Sequence, residues 1–586
     1  MVQDTGADIG AESAEISANR ELIREARALG KWPLLKAFFR LSGPGWLQSA
    51  ITLGGGSLAS SLYLGVLAGT ALLWLQPLAM IIGVIMLSTI GYVVLTTGER
   101  PFRAINRHVS PVLGWGWLLA TMMANMVWSL PQFSLGTAAV RQNLLPNSLG
   151  AMPDTAGNLI VCVLIAILCA VVVILYDQGR RGAKVCDVIL KIMVATIIVS
   201  FFGVVLKLTF ARGLDWGAVL RGLVPDFSLL YSPPKTLAAE IARVAQPYQG
   251  YWEAIVVGQQ RGVMIAAAAT AVGINMTFLL PYSMLRRGWD ADFRGMAVFD
   301  LATGLFVPFI LVTGCVVTVA ASQFHARPAP GFLQERTAEG VPVVPDPKLA
   351  SPYMALAKGR VKFEIGEEAF NALSEEDVAV SVRELPEADR RLAAMLVKRD
   401  AFSLADSLVP LMGRVWSHYI FGIGVFGMAV SSIIILMLIN GFVICEIADV
   451  PSAGRPFVLG SLLPLVGILG PFIWRGKTQF WLAVPTSNIA FVLLPIAYLS
   501  FAFLLNSRKL LGAAMPRGGK RLLWNLLVFP SAGLAAVGSV WKLWSGLKWY
   551  GIGILAVVLV ACAVFHRRPA DGEHAKSAAG SGTDAA

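Results

Sequence analysis

Two short stretches hold the polar groups best placed to grip a ligand: Gly54-Gly55-Gly56-Ser57 and Gly273-Ile274-Asn275-Met276-Thr277. Each sits inside a long apolar run. Glycine costs a helix roughly 1 kcal/mol against alanine, so a glycine triplet invites the helix to open. Opened backbone leaves N–H and C=O groups that hydrocarbon cannot satisfy, and such a break persists only where it lines a cavity or holds a ligand. The groups on offer are the hydroxyls of Ser57 and Thr277, the amide of Asn275, the Met276 thioether and freed carbonyls. That set suits an oxygen-seeking cation or a small polar solute. Close helix packing is the competing use of the triplet, and helix–helix hydrogen bonding that of Asn275. Two breaks five spans apart favour a ligand site. Enzymatic chemistry finds no support: no nucleophile–base pairing stands at either break, and of five histidines only His418 falls inside a span-length run. No cofactor is implied.

The elements that must position these groups are membrane helices. The chain is 586 residues long, 56% hydrophobic and 14% charged. A crossing needs about 20 apolar residues. Charge-free runs recur at 41–70, 71–98, 112–140, 155–176, 192–206, 262–285, 301–322, 415–445, 456–474, 478–507, 522–541 and 549–565, which makes twelve spans. The expected class is an all-α integral membrane protein.

The net charge of +12 does not indicate nucleic-acid binding, because the basic residues cluster in alternate connections. Arg20, Arg24, Arg27, Lys31, Lys36 and Arg40 precede the first span; Arg100, Arg103 and Arg107 follow the second; Arg286, Arg287 and Arg294 follow the sixth. The positive-inside rule then puts both termini in the cytoplasm, in a multi-pass protein of the plasma (inner) membrane. The expected partners are the lipid bilayer and a small inorganic cation or small organic solute. The six cysteines lie in or beside spans without paired spacing and read as packing residues.

On this reading the chain comprises a cytoplasmic N-terminal segment (1–40), spans 1–5 (41–206), an outer loop (207–261), spans 6–7 (262–322), an extracytoplasmic insert (323–413), spans 8–10 (414–507), spans 11–12 with the preceding loop (508–566) and a disordered tail (567–586). Residues 1–18 also read as disordered, and 19–40 as an amphipathic helix on the membrane surface. From 323 to 406 the insert holds 14 acidic and 11 basic residues. This composition suggests a soluble subdomain, with short helices over 366–382 and 385–411 capping the outer vestibule.

The order of motifs resembles the Nramp family of divalent-metal transporters. Gly43-Pro44-Gly45-Trp46-Leu47 and the glycine triplet with Ser57, Ala59 and Gly65 are similar to that family's first span. Gly136-Thr137 with Asn143-Leu144-Leu145, Asp215-Trp216-Gly217 with Gly222-Leu223-Val224-Pro225, Ser431-Ser432 with Glu446, and Pro495 with Arg508-Lys509-Leu510-Leu511-Gly512 continue the pattern. The resemblance covers roughly 43–512 apart from the insert. It implies a leucine-transporter-like fold: two inverted five-helix repeats, spans 1–5 and 6–10, plus two peripheral helices.

The resemblance also exposes departures. The family's first break reads Asp-Pro-Gly-Asn where this chain has Gly54, Gly55, Gly56 and Ser57. Its sixth-span Met-Pro-His falls on Asn275, Met276 and Thr277 when counted back from Ser283, and a slip of one residue would return Met276 to the site. No acid lies between Val109 and Val140, where the family has proton-route carboxylates. The expected substrate site is therefore Gly54, Gly55, Gly56, Ser57, Gly273, Asn275, Met276 and Thr277, with Ser57, Asn275 and Thr277 as metal ligands. Ser431, Ser432 and Asn488 are expected to hold a coupling ion or support the site. The leading expectation is alternating-access transport of a hydrated, magnesium-like dication without proton coupling. The alternative is a small neutral or zwitterionic solute, sodium-coupled through Ser431 and Ser432.

Overall fold

A backbone buried in hydrocarbon must satisfy its own hydrogen bonds, which leaves helices or closed barrels. The apolar runs take the first solution. The computed structural model describes residues 6–211, 213–333, 335–336, 340–473 and 483–565. Among these, the extended backbone forms only an isolated bridge between Arg336 and Pro342.

Helices α1 (Gly6–Leu29) and α2 (Lys31–Leu41) precede the first span. That span is split into α3 (Pro44–Thr52) and α4 (Gly55–Ala68), bent by 56°. Then come α5 (Leu75–Thr97), the short α6 (Pro101–His108), α7 (Pro111–Ala138), α8 (Asp154–Asp177) and α9 (Gly179–Phe210). The connection holds α10 (Trp216–Arg221) and α11 (Lys235–Ile241). The sixth span is again split, into α12 (Gln246–Ala271) and α13 (Ile274–Arg286). Helices α14 (Arg294–Leu301) and α15 (Val307–Phe324), joined by a π turn, make the seventh. The insert folds into α16 (Pro347–Ile365), α17 (Glu367–Asn371), α18 (Glu375–Glu384), α19 (Glu387–Leu396) and α20 (Ala401–Met412). The remaining helices are α21 (Phe421–Ile447), α22 (Arg455–Leu462), α23 (Gly470–Ile473), α24 (Ala483–Leu505), α25 (Arg508–Leu511) and α26 (Gly518–Val564).

Among the described residues eight helical stretches, some joining two of these helices, are long and apolar enough to cross a bilayer, ten if two bent pairs each count as one span. The 28-residue α7 is long enough as well, despite its buried Asn125 and Gln132. Helix α26 carries the last two charge-free runs on either side of a kink at Lys548, whose φ is 47°. This accounts for the twelve runs read from the sequence.

Three expectations change. The sixth-span helix begins at Gln246, inside the stretch read as loop. Residues 6–18 are helical rather than disordered, and α1 docks on protein instead of lying on lipid: Ile23 is buried, Arg20 donates to Asp290 at 2.6 Å and Arg24 to Asp292 at 2.7 Å. The insert is not free-standing either. Arg360, fully buried, donates to Asp389 at 2.9 Å and lies over the Tyr248 ring, while Trp252 of α12 donates to the same Asp389 at 2.7 Å. A buried charge persists only when paired and hydrogen-bonded, so this knot fixes the insert to the start of α12.

At the end of the bundle opposite the insert, polar contacts gather around the start of α3. Asp300 of α14 is 1% exposed and accepts from the backbone N–H groups of Gly43 (3.0 Å) and Gly45 (2.6 Å) and from the Ser42 hydroxyl. Lys191 donates to the Ser42 carbonyl at 2.8 Å, and Arg287 pairs with Asp187. Gly45 is required here, since a Cβ would strike the Asp300 backbone. Asp300 thus anchors a helix end, satisfying donors that the first turn of α3 leaves without intrahelical partners.

Candidate functional site

The first break forms because α3 ends at Leu53 (φ −80°, ψ 61°) and α4 restarts from Gly54 in extended backbone (φ −117°, ψ −174°). The freed polar groups are taken up by side chains from two other spans. Gly55 N–H donates to Gln132 Oε1 of α7 at 3.0 Å. The Ala50 carbonyl accepts from Ser431 at 2.9 Å, and Ser432 reaches the Ala50 and Ile51 carbonyls at 3.4 Å. Ser57 turns back to donate to the Gly54 carbonyl at 2.9 Å. Ser431 and Ser432 of α21 therefore hydrogen-bond the carbonyls that the break leaves free. Asn488 lies outside the residues whose side chains are described.

The second break is narrower. Val272 and Gly273 are extended, and α13 restarts at Ile274. The two breaks touch directly: Thr52 Oγ1 donates to Met276 Sδ at 3.1 Å, and Gln48 Nε2 to the Met276 carbonyl at 3.4 Å. Between them lies a cavity of about 20 Å³. One water needs roughly 10–15 Å³ on this scale, so there is room for one or two. Its polar lining is Thr52, Ser57, Gln132, Thr270, Met276 and Ser432, with Gly54 and Gly56 contributing backbone. Ile51, Trp128, Pro131 and Leu436 make the apolar remainder. None of the lining side chains carries a charge, and among the described residues no group of three or more His, Cys, Asp or Glu is placed to hold a metal.

The structure brings together most but not all of the expected residues. Gly54, Gly56, Ser57 and Met276 line the cavity, and Gly55 stands beside it through Gln132. Thr277 faces elsewhere: its hydroxyl donates to the Ile274 carbonyl and accepts from Trp117 Nε1 at 2.9 Å. Asn275 is also off the lining. Its Oδ1 caps the Met276 N–H at 2.9 Å, while Nδ2 is buried without a partner, and a Cβ at Gly273 would strike Asn275 and Trp128. Successive helical residues point about 100° apart, so three consecutive side chains cannot share one cavity. Met276 is the one that faces it. Thr52, Gln132 and Thr270 complete the polar lining without having been singled out in the sequence. A glutamine beside Pro131 in a charge-free run was the available signal for Gln132.

Residues 45–339 and 392–545 match the family model described as natural resistance-associated macrophage protein-like, Nramp. The unmatched stretch between them covers α16, α17, α18 and the start of α19. No curated protein matches. Among solved structures the chain is similar to a manganese transporter of Eremococcus coleocola. Two point-mutant forms of it share 13% and 14% identity with this chain, cover 91% of it and 96% of their own length, and superpose with a TM-score of 0.58. A form in complex with an aromatic bis-isothiourea substituted compound has 13% identity, covers 91% of this chain and 97% of its own, and gives a TM-score of 0.55. At such identity the likeness carries the fold, which is leucine-transporter-like.

Proposed function

This chain belongs to the Nramp family, whose members transport divalent metals, and from that premise we propose that it carries a hydrated, magnesium-like dication by alternating access without proton coupling. The observation that carries this reading is the neutral cavity where the two broken helices meet. A dication prefers oxygen ligands and compensating negative charge. Here it would meet the Thr52, Ser57 and Ser432 hydroxyls, the Gln132 amide and carbonyl ends, with no carboxylate. Complete dehydration in such a site costs tens of kcal/mol in the idealised limit. An ion that keeps most of its water escapes that cost, and magnesium sheds water reluctantly. A cavity of about 20 Å³ cannot enclose a fully hydrated ion. On this reading the ion is held when the cavity widens toward one face, and the compact arrangement is the closed form between the two.

Proton coupling needs a titratable group facing the cavity, and none of the lining side chains is one. In liposomes carrying the purified protein, magnesium uptake should proceed without acidifying the lumen and should respond weakly to an imposed pH gradient. Magnesium-dependent acidification would sink the uncoupled reading. Calorimetric binding of amino acids or amines with no response to magnesium or manganese would replace the substrate class.

We place both termini in the cytoplasm of a plasma (inner) membrane and the insert outside, on the charge asymmetry of the connections. Ser374, exposed at the start of α18, offers a direct check. A Ser374→Cys variant should react with an impermeant thiol reagent on intact cells. Reaction only after lysis would reverse the topology.

A further inference from the structure

The face of α4 that lines the cavity continues toward the insert, and the insert places a cation on it. Gly56, Ser60 and Tyr63 stand four and three residues apart and share one helix face. Ser60 lies 3.4 Å from Thr270 of α12, and Tyr63 Oη donates to Gln259 of the same helix at 2.8 Å. Over the Tyr63 ring, 5.5 Å from its centroid, sits the Lys398 ammonium from the turn between α19 and α20. An ammonium at that range over an aromatic face is held by the ring quadrupole. Seven residues of α4 separate Tyr63 from Gly56, about 10 Å along the axis. The neighbouring Arg399 is engaged elsewhere, over Phe324 and toward the Arg327 carbonyl at 3.4 Å. Burial draws the Lys398 ammonium below the ordinary lysine range. Even so, it is a cation that the insert sets on the α4 face continuing from a cavity whose lining carries no charge to offset it.

We propose that Lys398 is a specificity-determining residue: its ammonium, fixed on Tyr63 at the insert-side mouth, is an electrostatic screen that slows cations approaching the cavity relative to anions of equal size. The proposal rests on the transport reading only in assuming that this mouth opens onto the cavity. A fixed like charge is felt twice as strongly by a dication as by a monocation, so the screen throttles the substrate itself. The effect should weaken with salt, because the Debye length falls to ~8 Å at physiological ionic strength.

The test uses full-length protein carrying Thr270→Cys as a reporter inside the cavity, with the parent chain giving the background from native cysteines. Rates of modification from the insert side are compared for a cationic and an anionic methanethiosulfonate of similar size, at low and at physiological salt. The cation-to-anion rate ratio should rise roughly tenfold in K398E and severalfold in K398Q, estimated from a change of two unit charges and of one, respectively, acting over ~10 Å at a water-like dielectric of about 80. K398R should leave it unchanged, and salt should shrink the differences. An unchanged ratio in K398E and K398Q overturns the proposal. So does a reporter that reacts with neither reagent, because the route then does not pass this mouth. The assay needs no transport, so a shifted ratio in a protein that moves no dication would retire the transport reading and keep the screen.

Discussion

Replacing Asp300 with alanine should lower the thermal stability of the purified protein more than truncating any one polar side chain at the cavity, and should leave the end opposite the insert persistently open. The carboxylate is almost wholly buried and takes three hydrogen bonds, from Gly43 N–H, Gly45 N–H and the Ser42 hydroxyl. Hydrogen bonds to a charged group contribute about 1.5–3 kcal/mol each, and donors left buried and unpaired cost more than the bond itself contributed. The amides are the unpaired donors of the first turn of α3, so their loss frays the half-helix whose far end holds Thr52 and Leu53 at the cavity. Removing a buried charge also removes its own desolvation cost. The net loss is therefore about 3 kcal/mol rather than the sum. Asp300→Asn should fall between wild type and alanine, because its amide keeps one acceptor but turns an NH2 toward a donor. A Thr52→Cys reporter in the alanine variant should become reactive from the terminal side. A melting temperature within a degree of wild type, together with an unreactive Thr52→Cys, would show that this end is held by Lys191 and Arg287 alone.

How far the sequence discloses such features depends on whether a local pattern or a tertiary contact creates them. The spans are local: a charge-free run of 20 residues can hardly be anything else, and twelve were legible. The breaks were legible too, because three glycines in hydrocarbon have few other uses. Asp300 could be recognised as a helix anchor from its position at the edge of a span, but its partner helix could not, since Gly43 and Gly45 lie more than 250 residues away. Gln132 illustrates the opposite limit. Its use is set by Gly55, 77 residues earlier in the chain, and a lone amide in a span looks the same whether it caps a broken helix or joins two intact ones. The choice among Asn275, Met276 and Thr277 turned on helix phase, which an irregular restart after Gly273 hides. The insert's composition pointed to a soluble cap but not to its anchor, because Arg360, Asp389 and Trp252, which tie it to α12, come together only in the fold.

Gly54→Asp should by itself disable the protein, whereas Gly54→Asp with Ser432→Ala should bind manganese at least tenfold more tightly than wild type. An aspartate at 54 would restore the carboxylate that this family carries at the first break. The structure has no space for it as it stands. A Cβ on Gly54 would lie 2.5 Å from Ser432 Oγ, 3.2 Å from the Ile51 carbonyl and 3.3 Å from Gln132 Nε2. The first of these is closer than real Cβ atoms come and the other two are tight, so either the serine hydroxyl or the break must move. The hydroxyl is held toward the Ala50 and Ile51 carbonyls, and moving it disturbs the same backbone that the new carboxylate would have to share. Truncating Ser432 removes the obstruction at the loss of two long hydrogen bonds, while Ser431 still holds Ala50 at 2.9 Å. The carboxylate would then face a cavity of neutral oxygens and the Met276 sulfur, a donor set that suits softer transition metals better than magnesium. Ser432→Ala alone should weaken magnesium transport, but less than Gly54→Asp does, since it removes one of several hydroxyls on the lining and leaves Ser431 on Ala50. Calorimetry on the four proteins, with manganese and magnesium in separate titrations, reads the outcome. Equal manganese affinity in the single and double variants would mean that Ser432 yields freely, and that glycine at 54 is not required by the hydroxyl facing it.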